Sequence, residues 1–373
     1  MAELSVLVAT RKGLFVAERS RPGEWSLAPR GFLGEPVSMV LEDPRDGAVY
    51  AALNLGHFGV KLHRSADSAA TWTEIAAPAY PKRTDEEKKA DEAFPKPAPW
   101  SVQQIWSLAT GGADEPGVLW AGTIPGGLFR SADRGDSWSL VRSLWDREER
   151  RKWFGGGYDH AGIHSILVDP RDSRHVTIGI SCGGVWETRD GGETWSLCAT
   201  GMFAAYMPDS ERGDPNIQDP HLIARCAEAP DVLWAQHHNG VFRTVDGAAS
   251  WYEVPAAAPS VFGFAVAAHP KDPEAAWCVP AVKDECRIPV DGRFVASRTR
   301  DGGKTFEVLS QGLPEGPAYD LVYRHGLAVD PSGDVLAMGS TTGSLWVSED
   351  GGDTWQSLSA HLPPIYAVRF GAG

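Results

Sequence analysis

Apolar and polar positions along the chain recur in short bursts. Met1 to Ser20 alternates as a strand does. Farther along, three local signatures return in a fixed order. One burst ends in Asp-Pro at Asp43-Pro44, Asp169-Pro170 and Asp330-Pro331, with His269-Pro270 and Ala229-Pro230 as variants. Proline fixes φ and has no N–H for a ladder, so it ends the strand. A later burst opens on glycine and an apolar pair, as in Gly13-Leu14-Phe15, Gly59-Val60, Gly127-Leu128-Phe129, Gly184-Val185-Trp186 and Gly240-Val241-Phe242; Gly343-Ser344-Leu345-Trp346 departs slightly. The last burst begins on an aromatic: Trp25, Trp72, Trp138, Trp195, Trp251, Phe306 and Trp355. These anchors stand 47, 66, 57, 56, 55 and 49 residues apart. Each interval fits four short strands, and seven anchors predict seven such units.

The two ends of the chain complete one unit. The N-terminus supplies three strands, Leu4 to Thr10, Gly13 to Glu18 and Glu24 to Ala28. Ile365 to Phe370 follows the last anchor and supplies the missing innermost strand. Joining both ends in one sheet leaves no free edge. The expectation is an all-β chain, 1–373 as a single seven-bladed β-propeller, closed by the C-terminal strand in blade 1.

The turn before each anchor has its own signature. Thr188 to Trp195 reads TRDGGETW; Ser348 to Trp355, Thr299 to Phe306 and Ser131 to Trp138 repeat it closely, and Thr244 to Trp251 and Ser65 to Trp72 are weaker copies. The Asp accepts hydrogen bonds from turn N–H groups, and Gly supplies positive φ. This resembles the BNR or Asp-box repeat, S/T-x-D-x-G-x-T-W, of sialidase-like, glycosyl hydrolase-like propellers. Proteins sharing the box include sialidases and other glycoside hydrolases, sorting receptors and photosystem assembly factors. The resemblance implies a scaffold more than a reaction. Sialidases carry an arginine triad, a Tyr–Glu nucleophile pair, an acid–base Asp and an Arg-Ile-Pro segment near the N-terminus. Here Arg287-Ile288-Pro289 falls in blade 6, only Arg11 stands near the N-terminus, and no three mouth arginines match the triad.

Composition narrows the partners. The 373 residues carry 35 basic and 49 acidic side chains, a net charge of −14, which repels phosphate backbones and argues against nucleic acid. No apolar run is long enough to span a bilayer, so no membrane partner is expected. Met1 to Ser20 lacks a basic stretch followed by an apolar core, and the 5 Cys are scattered. Both features suit a cytoplasmic protein with reduced thiols.

Candidate chemistry gathers on one face. With strands A to D counted from axis to rim, the D–A connections and B–C turns share a face opposite the Asp turns. The three longest connections, Ala79 to Trp100, Arg142 to His160 and Ala199 to Pro220, all rise there and predict a partial lid; the charged piece Asp85 to Glu92 reads as solvated. His57, His160, His164, His221, His237, His238 and His325 map to the same face. His164 and His325 each stand five residues before an Asp-Pro, with Phe264 and Trp106 at matching positions, so these four should share one layer of the channel. Imidazoles from several strands point to a divalent transition metal (Zn, Mn, Fe or Ni) held by His164, His221, His237, His238 and His325. Asp159, His160, Asp219, Tyr323 and Arg324 are the catalytic candidates. Arg11, His57, Trp106, Phe264 and Lys283 are the candidates for gripping a small-molecule or saccharide ligand. The leading expectation is a small-molecule enzyme, a metal-dependent hydrolase or lyase. The alternatives are a glycoside hydrolase, for which Asp159, Asp219 and Asp284 offer carboxylates, and a non-catalytic binding or assembly propeller.

Overall fold

The computed structural model describes residues 4–91 and 97–371. Its strands form seven four-stranded antiparallel sheets. The innermost strands of blades 2 to 7 are Val37–Glu42, Gln104–Thr110, Ile163–Asp169, Pro220–Arg225, Gly263–Ala268 and Leu327–Val329. Blade 1 takes Ile365–Phe370 as its inner strand, paired with Ser5–Thr10, followed by Gly13–Arg21 and Glu24–Gly31. The closing register sets Val6 opposite Phe370 and Val8 opposite Val368. The all-β, seven-bladed expectation and the closing strand therefore hold. No described helix is long and apolar enough to cross a membrane.

The Asp turns form as their chemistry requires. Thr194 donates its backbone N–H to Asp190 Oδ1 at 2.9 Å and its hydroxyl to Oδ2 at 2.5 Å, while Gly192 N–H reaches Thr188 Oγ1 at 2.9 Å. The weaker copies keep the same bonds: Thr71 N–H to Asp67 at 2.9 Å and Ser250 N–H to Asp246 at 3.0 Å. In these copies Ala69 and Ala248 hold the left-handed conformation, at φ 64° and 72°. The carboxylate network overrides the ordinary reluctance of a Cβ to enter that region.

At three of these turns the aromatic does more than cover its own hairpin. Trp72 Nε1–H donates to Arg30 O, Trp138 to Ala76 O and Trp251 to Cys198 O, at 2.9, 3.0 and 2.9 Å. Each acceptor belongs to the preceding blade, so the indole bridges the seam between blades. Trp25 bridges the closure itself, donating to Glu349 Oε1 of blade 7 at 2.7 Å. Farther in, large apolar side chains fill each seam. Trp120 of blade 3 packs with Val176, Ile178 and Trp186 of blade 4. Close to the axis the seams need small residues: a Cβ on Gly339 would come within 2.5 Å of Ile365 Cγ2 on the closing strand.

The three long connections pack side by side on one face. The stretch read as solvated forms a helix, Asp85–Asp91, with Glu92 outside the described residues. Its Glu87 pairs with Arg142 of the next connection at 2.5 Å. Lys152 then pairs with Asp214 at 3.1 Å, and Trp153 Nε1–H donates to Asn216 Oδ1 at 3.0 Å, joining the second connection to the third.

Two outcomes test this architecture. Removing residues 365–373, of which the last two lie outside the described residues, exposes the inner edge of blade 1; the truncated chain is expected to unfold or self-associate in gel filtration. Trp251→Ala empties a buried seam and should cost about 3–5 kcal/mol in urea denaturation. The exposed Lys304→Ala should stay within about 0.5 kcal/mol of the parent.

Candidate functional site

The mouth of the channel, on the face of the long connections, opens into a cavity of about 620 Å³. Its walls come from blades far apart in sequence. Trp106 stands on the inner strand of blade 3, Phe264 on that of blade 6, and Tyr366 on the closing strand. Asn54 and Gln104 add amide groups. Among the described residues, four cations line it, Arg11, Lys12, Arg287 and Arg324, and no carboxylate does. Arg11, Arg287 and Arg324 belong to the consecutive blades 1, 6 and 7, so the fold brings three arginines together where the sequence showed no triad.

Arg324 is the most constrained of these cations. It sits in the single turn Arg324–Gly326 that precedes the inner strand of blade 7, at 7% exposure. Its guanidinium carbon lies 4.5 Å from the Trp106 ring and 5.6 Å from that of Phe264. Stacking of this kind suits a weakly hydrated planar cation. Nε and Nη2 are buried without a hydrogen-bond partner. Burial pushes the guanidinium down, and the Asp219 carboxylate partly offsets it. Arg287 stacks on the other ring: it lies 5.2 Å from Phe264 and is held by Asp284 at 2.5 Å.

The histidines divide into separate groups. His164 is buried edge-on against Trp106 at 5.5 Å, as the shared-layer expectation requires. His325 also lines the cavity, though from the turn and not from a strand. Arg369 donates to His325 Nδ1 at 2.9 Å, which places the remaining ring proton on Nε2. A ring with its lone pair spent and its other nitrogen protonated is a donor and not a metal ligand. Burial, reinforced for His325 by Arg369, keeps both rings well below the ordinary imidazole range and neutral. His237 lies against the backbone N–H groups of Asp219 and Asn239, 3.1 Å from each, and so serves the loop.

The five-histidine metal set therefore does not converge. Among the described residues, the His, Cys, Asp and Glu side chains whose ligand atoms come together are Asp219, His221 and His238, all within 4.8 Å of one another. Asp219 ends the connection into blade 5, His221 stands on that blade's inner strand, and His238 on its B–C turn. Asp219 Oδ2 faces His221 Nε2 and His238 Nδ1, each at 3.5 Å. Asp219 Oδ1 accepts from Cys182 N–H at 3.1 Å and Ser181 Oγ at 3.3 Å. Burial alone would raise the Asp219 carboxyl, but the two imidazoles and Arg324 hold it well below the usual carboxylate range. Burial pushes the neighbouring Cys182 thiol up, which removes it as a nucleophile. A Cβ on Gly156 would stand 3.1 Å from Asp219 Oδ2, and Gly156 lines the mouth cavity. The cluster thus lies buried behind the cavity wall that Gly156 helps to form.

The other expected site residues fall as follows. Tyr323 lines the cavity with Arg324 and packs on Phe264 at 4.9 Å. Asp159 and His160 face a second cavity of about 280 Å³ under the long connections, beside Trp145 and Trp153. Asp159, Asp219 and Asp284 therefore do not form a carboxylate pair in one pocket. His57 is exposed on the rim, its ring 3.9 Å from that of Phe58. Lys283 points to solvent and pairs with Glu285 at 3.5 Å. Arg287, Arg369 and Tyr366 were missed as site residues; the Arg-Ile-Pro segment was the one available signal, and it marked Arg287.

No family model matches the chain. A xyloglucanase of Acetivibrio thermocellus is 23% identical over 257 residues, which cover 62% of this chain and 29% of that protein. The chain thus spans about a third of the length of this curated relative. Among solved structures, an ancestral GH74 enzyme superposes with a TM-score of 0.57 at 15% identity, over 90% of this chain and 38% of its own. The periplasmic gluconolactonase of Pseudomonas aeruginosa gives a TM-score of 0.63 at 12% identity, over 100% and 99% of the two chains. At these identities the two structures establish the propeller fold, and the sequence similarity runs to propeller glycosidases.

Proposed function

We propose that the protein is a carbohydrate-active hydrolase that binds, in the mouth cavity, a saccharide bearing an acidic group. The observation that carries this reading is Arg324, a buried guanidinium with two unpaired nitrogen atoms at a cavity wall. Leaving such donors unpaired is costly, and a carboxylate matches the guanidinium fork. Arg11, Lys12 and Arg287 strengthen the positive field on the same wall. Trp106, Phe264 and Tyr323 supply apolar faces for a ring, and Asn54 and Gln104 supply partners for hydroxyls. Similarity to xyloglucanases supports a saccharide over other small molecules. Behind the wall that Gly156 helps to form lie Asp219, kept ionised, and the half-buried His238. With His221 they are the groups through which we propose that hydrolysis proceeds.

Calorimetric titration with oligouronides and with neutral xylogluco-oligosaccharides, alongside a reducing-end assay on both, tests this function. The acidic ligands should bind more tightly, and Arg324→Gln should weaken them roughly 10- to 100-fold, the value of one charge-assisted pair. Equal affinity for neutral ligands, unchanged in Arg324→Gln, would remove the acidic group from the reading. Binding without released reducing ends would make the protein a saccharide-binding propeller and not a hydrolase.

A further inference from the structure

We propose that Asp219, His221 and His238 form a binding site for one divalent transition metal ion, with Zn2+ the best match to two imidazoles and a carboxylate. The argument begins with a tautomer. His221 Nδ1 lies 2.7 Å from the Gly263 carbonyl, and only an N–H can satisfy that contact. The neutral ring therefore carries its lone pair on Nε2, the atom that faces Asp219 Oδ2 at 3.5 Å. His238 Nδ1 faces the same oxygen, also at 3.5 Å. A carboxylate oxygen opposed to an imidazole lone pair is repulsive unless a proton or a metal ion lies between them, and here one oxygen faces two rings.

The spacing suits such an ion. Both contacts are longer than an ordinary hydrogen bond of about 2.7–3.2 Å. Ligands about 2.0–2.1 Å from a tetrahedral zinc ion stand roughly 3.3 Å from each other. The surroundings are those of a supported ligand set. The carbonyl of Gly263 orients His221, as second partners of metal-bound imidazoles do. Cys182 N–H and Ser181 Oγ hold the other oxygen of Asp219, leaving Oδ2 to turn inward. His221 is further fixed by stacking on Phe264 at 4.5 Å, and His238 by Tyr206 at 4.8 Å.

Three protein ligands leave a coordination position open, and Gly156, which lines the cavity, stands against Asp219 Oδ2 without a side chain. Arg324 acts on the same carboxylate and opposes the ion, which favours an anionic substrate group as the remaining ligand. The site differs from the five-histidine set expected from sequence, since His164, His237 and His325 take no part. It stands whether or not the substrate is a saccharide.

The full-length chain, treated with chelator and passed into metal-free buffer, is titrated with ZnCl2 and CoCl2. One ion per chain should bind, Co2+ should show the intense visible absorption of a four- or five-coordinate site, and Zn2+ should raise Tm. His238 is half-buried, so His238→Ala should keep the near-ultraviolet dichroism of the parent. It should lose affinity by more than the about 10- to 100-fold that removal of a supporting partner costs. Asp219→Asn should behave likewise, and the exposed His361→Ala should bind as the parent does. A parent chain that takes up no stoichiometric ion overturns the proposal without recourse to any variant. Uptake that survives both His238→Ala and Asp219→Asn overturns it equally.

Discussion

The pairing of Ile365–Phe370 with Ser5–Thr10 closes the ring, and the site depends on that closure. A propeller blade buries its faces only against its neighbours, so an open ring would leave two faces and an edge in water. Closure also builds the mouth cavity. Tyr366 and Arg369 stand on the closing strand, and Arg11 stands on the turn after its partner strand Ser5–Thr10. Arg369 sets the protonation of His325, which belongs to blade 7. Groups from both ends of the chain thus define one wall of the cavity.

The electrostatics of that wall run against the whole. The chain carries a net charge of −14, yet among the described residues its mouth is lined by four cations and no carboxylate. The acidic excess is spent elsewhere, notably in the turns, where Asp67, Asp133 and Asp301 sit with their pKa values held near 2 by hydrogen bonds from the turn itself. Acid groups that stabilise turns on the far face do not reach the mouth. The one carboxylate just behind the cavity, Asp219, is shared between two imidazoles and tied down by Ser181 and Cys182.

The seams tie stability to this arrangement. Indole N–H groups of Trp72, Trp138 and Trp251 reach back to the preceding blade, and Trp25 reaches Glu349 across the closure. These bonds lie on the face opposite the cavity, or toward the rim. The mouth is built instead from inner strands and connections, where Gly156 and Arg324 sit. Scaffold and site therefore occupy different ends of the same strands, which lets the connections vary without loosening the ring.

The sequence alone determined the number of blades, the closing strand and the face on which the connections rise. Those features rest on short-range rules: an Asp bonds a Thr four residues on, a Pro ends a strand, and an aromatic recurs once per blade. Trp106 and Phe264 could be placed at the mouth because equivalent strand positions lie at equal depth, and Tyr323 and Arg324 because they precede His325. Which side chains converge there was decided only by the tertiary structure. Arg11, Arg287 and Arg324 meet although up to 313 residues separate them in the chain. Asp159 and Asp219 look like partners in sequence, but Asp159 faces the second cavity and Asp219 is buried behind the wall of the first. The histidines divide likewise. Their ring nitrogens are committed by neighbours that no spacing encodes, Arg369 for His325 and the Gly263 carbonyl for His221, and a lone pair is available for binding only where such a partner leaves it free.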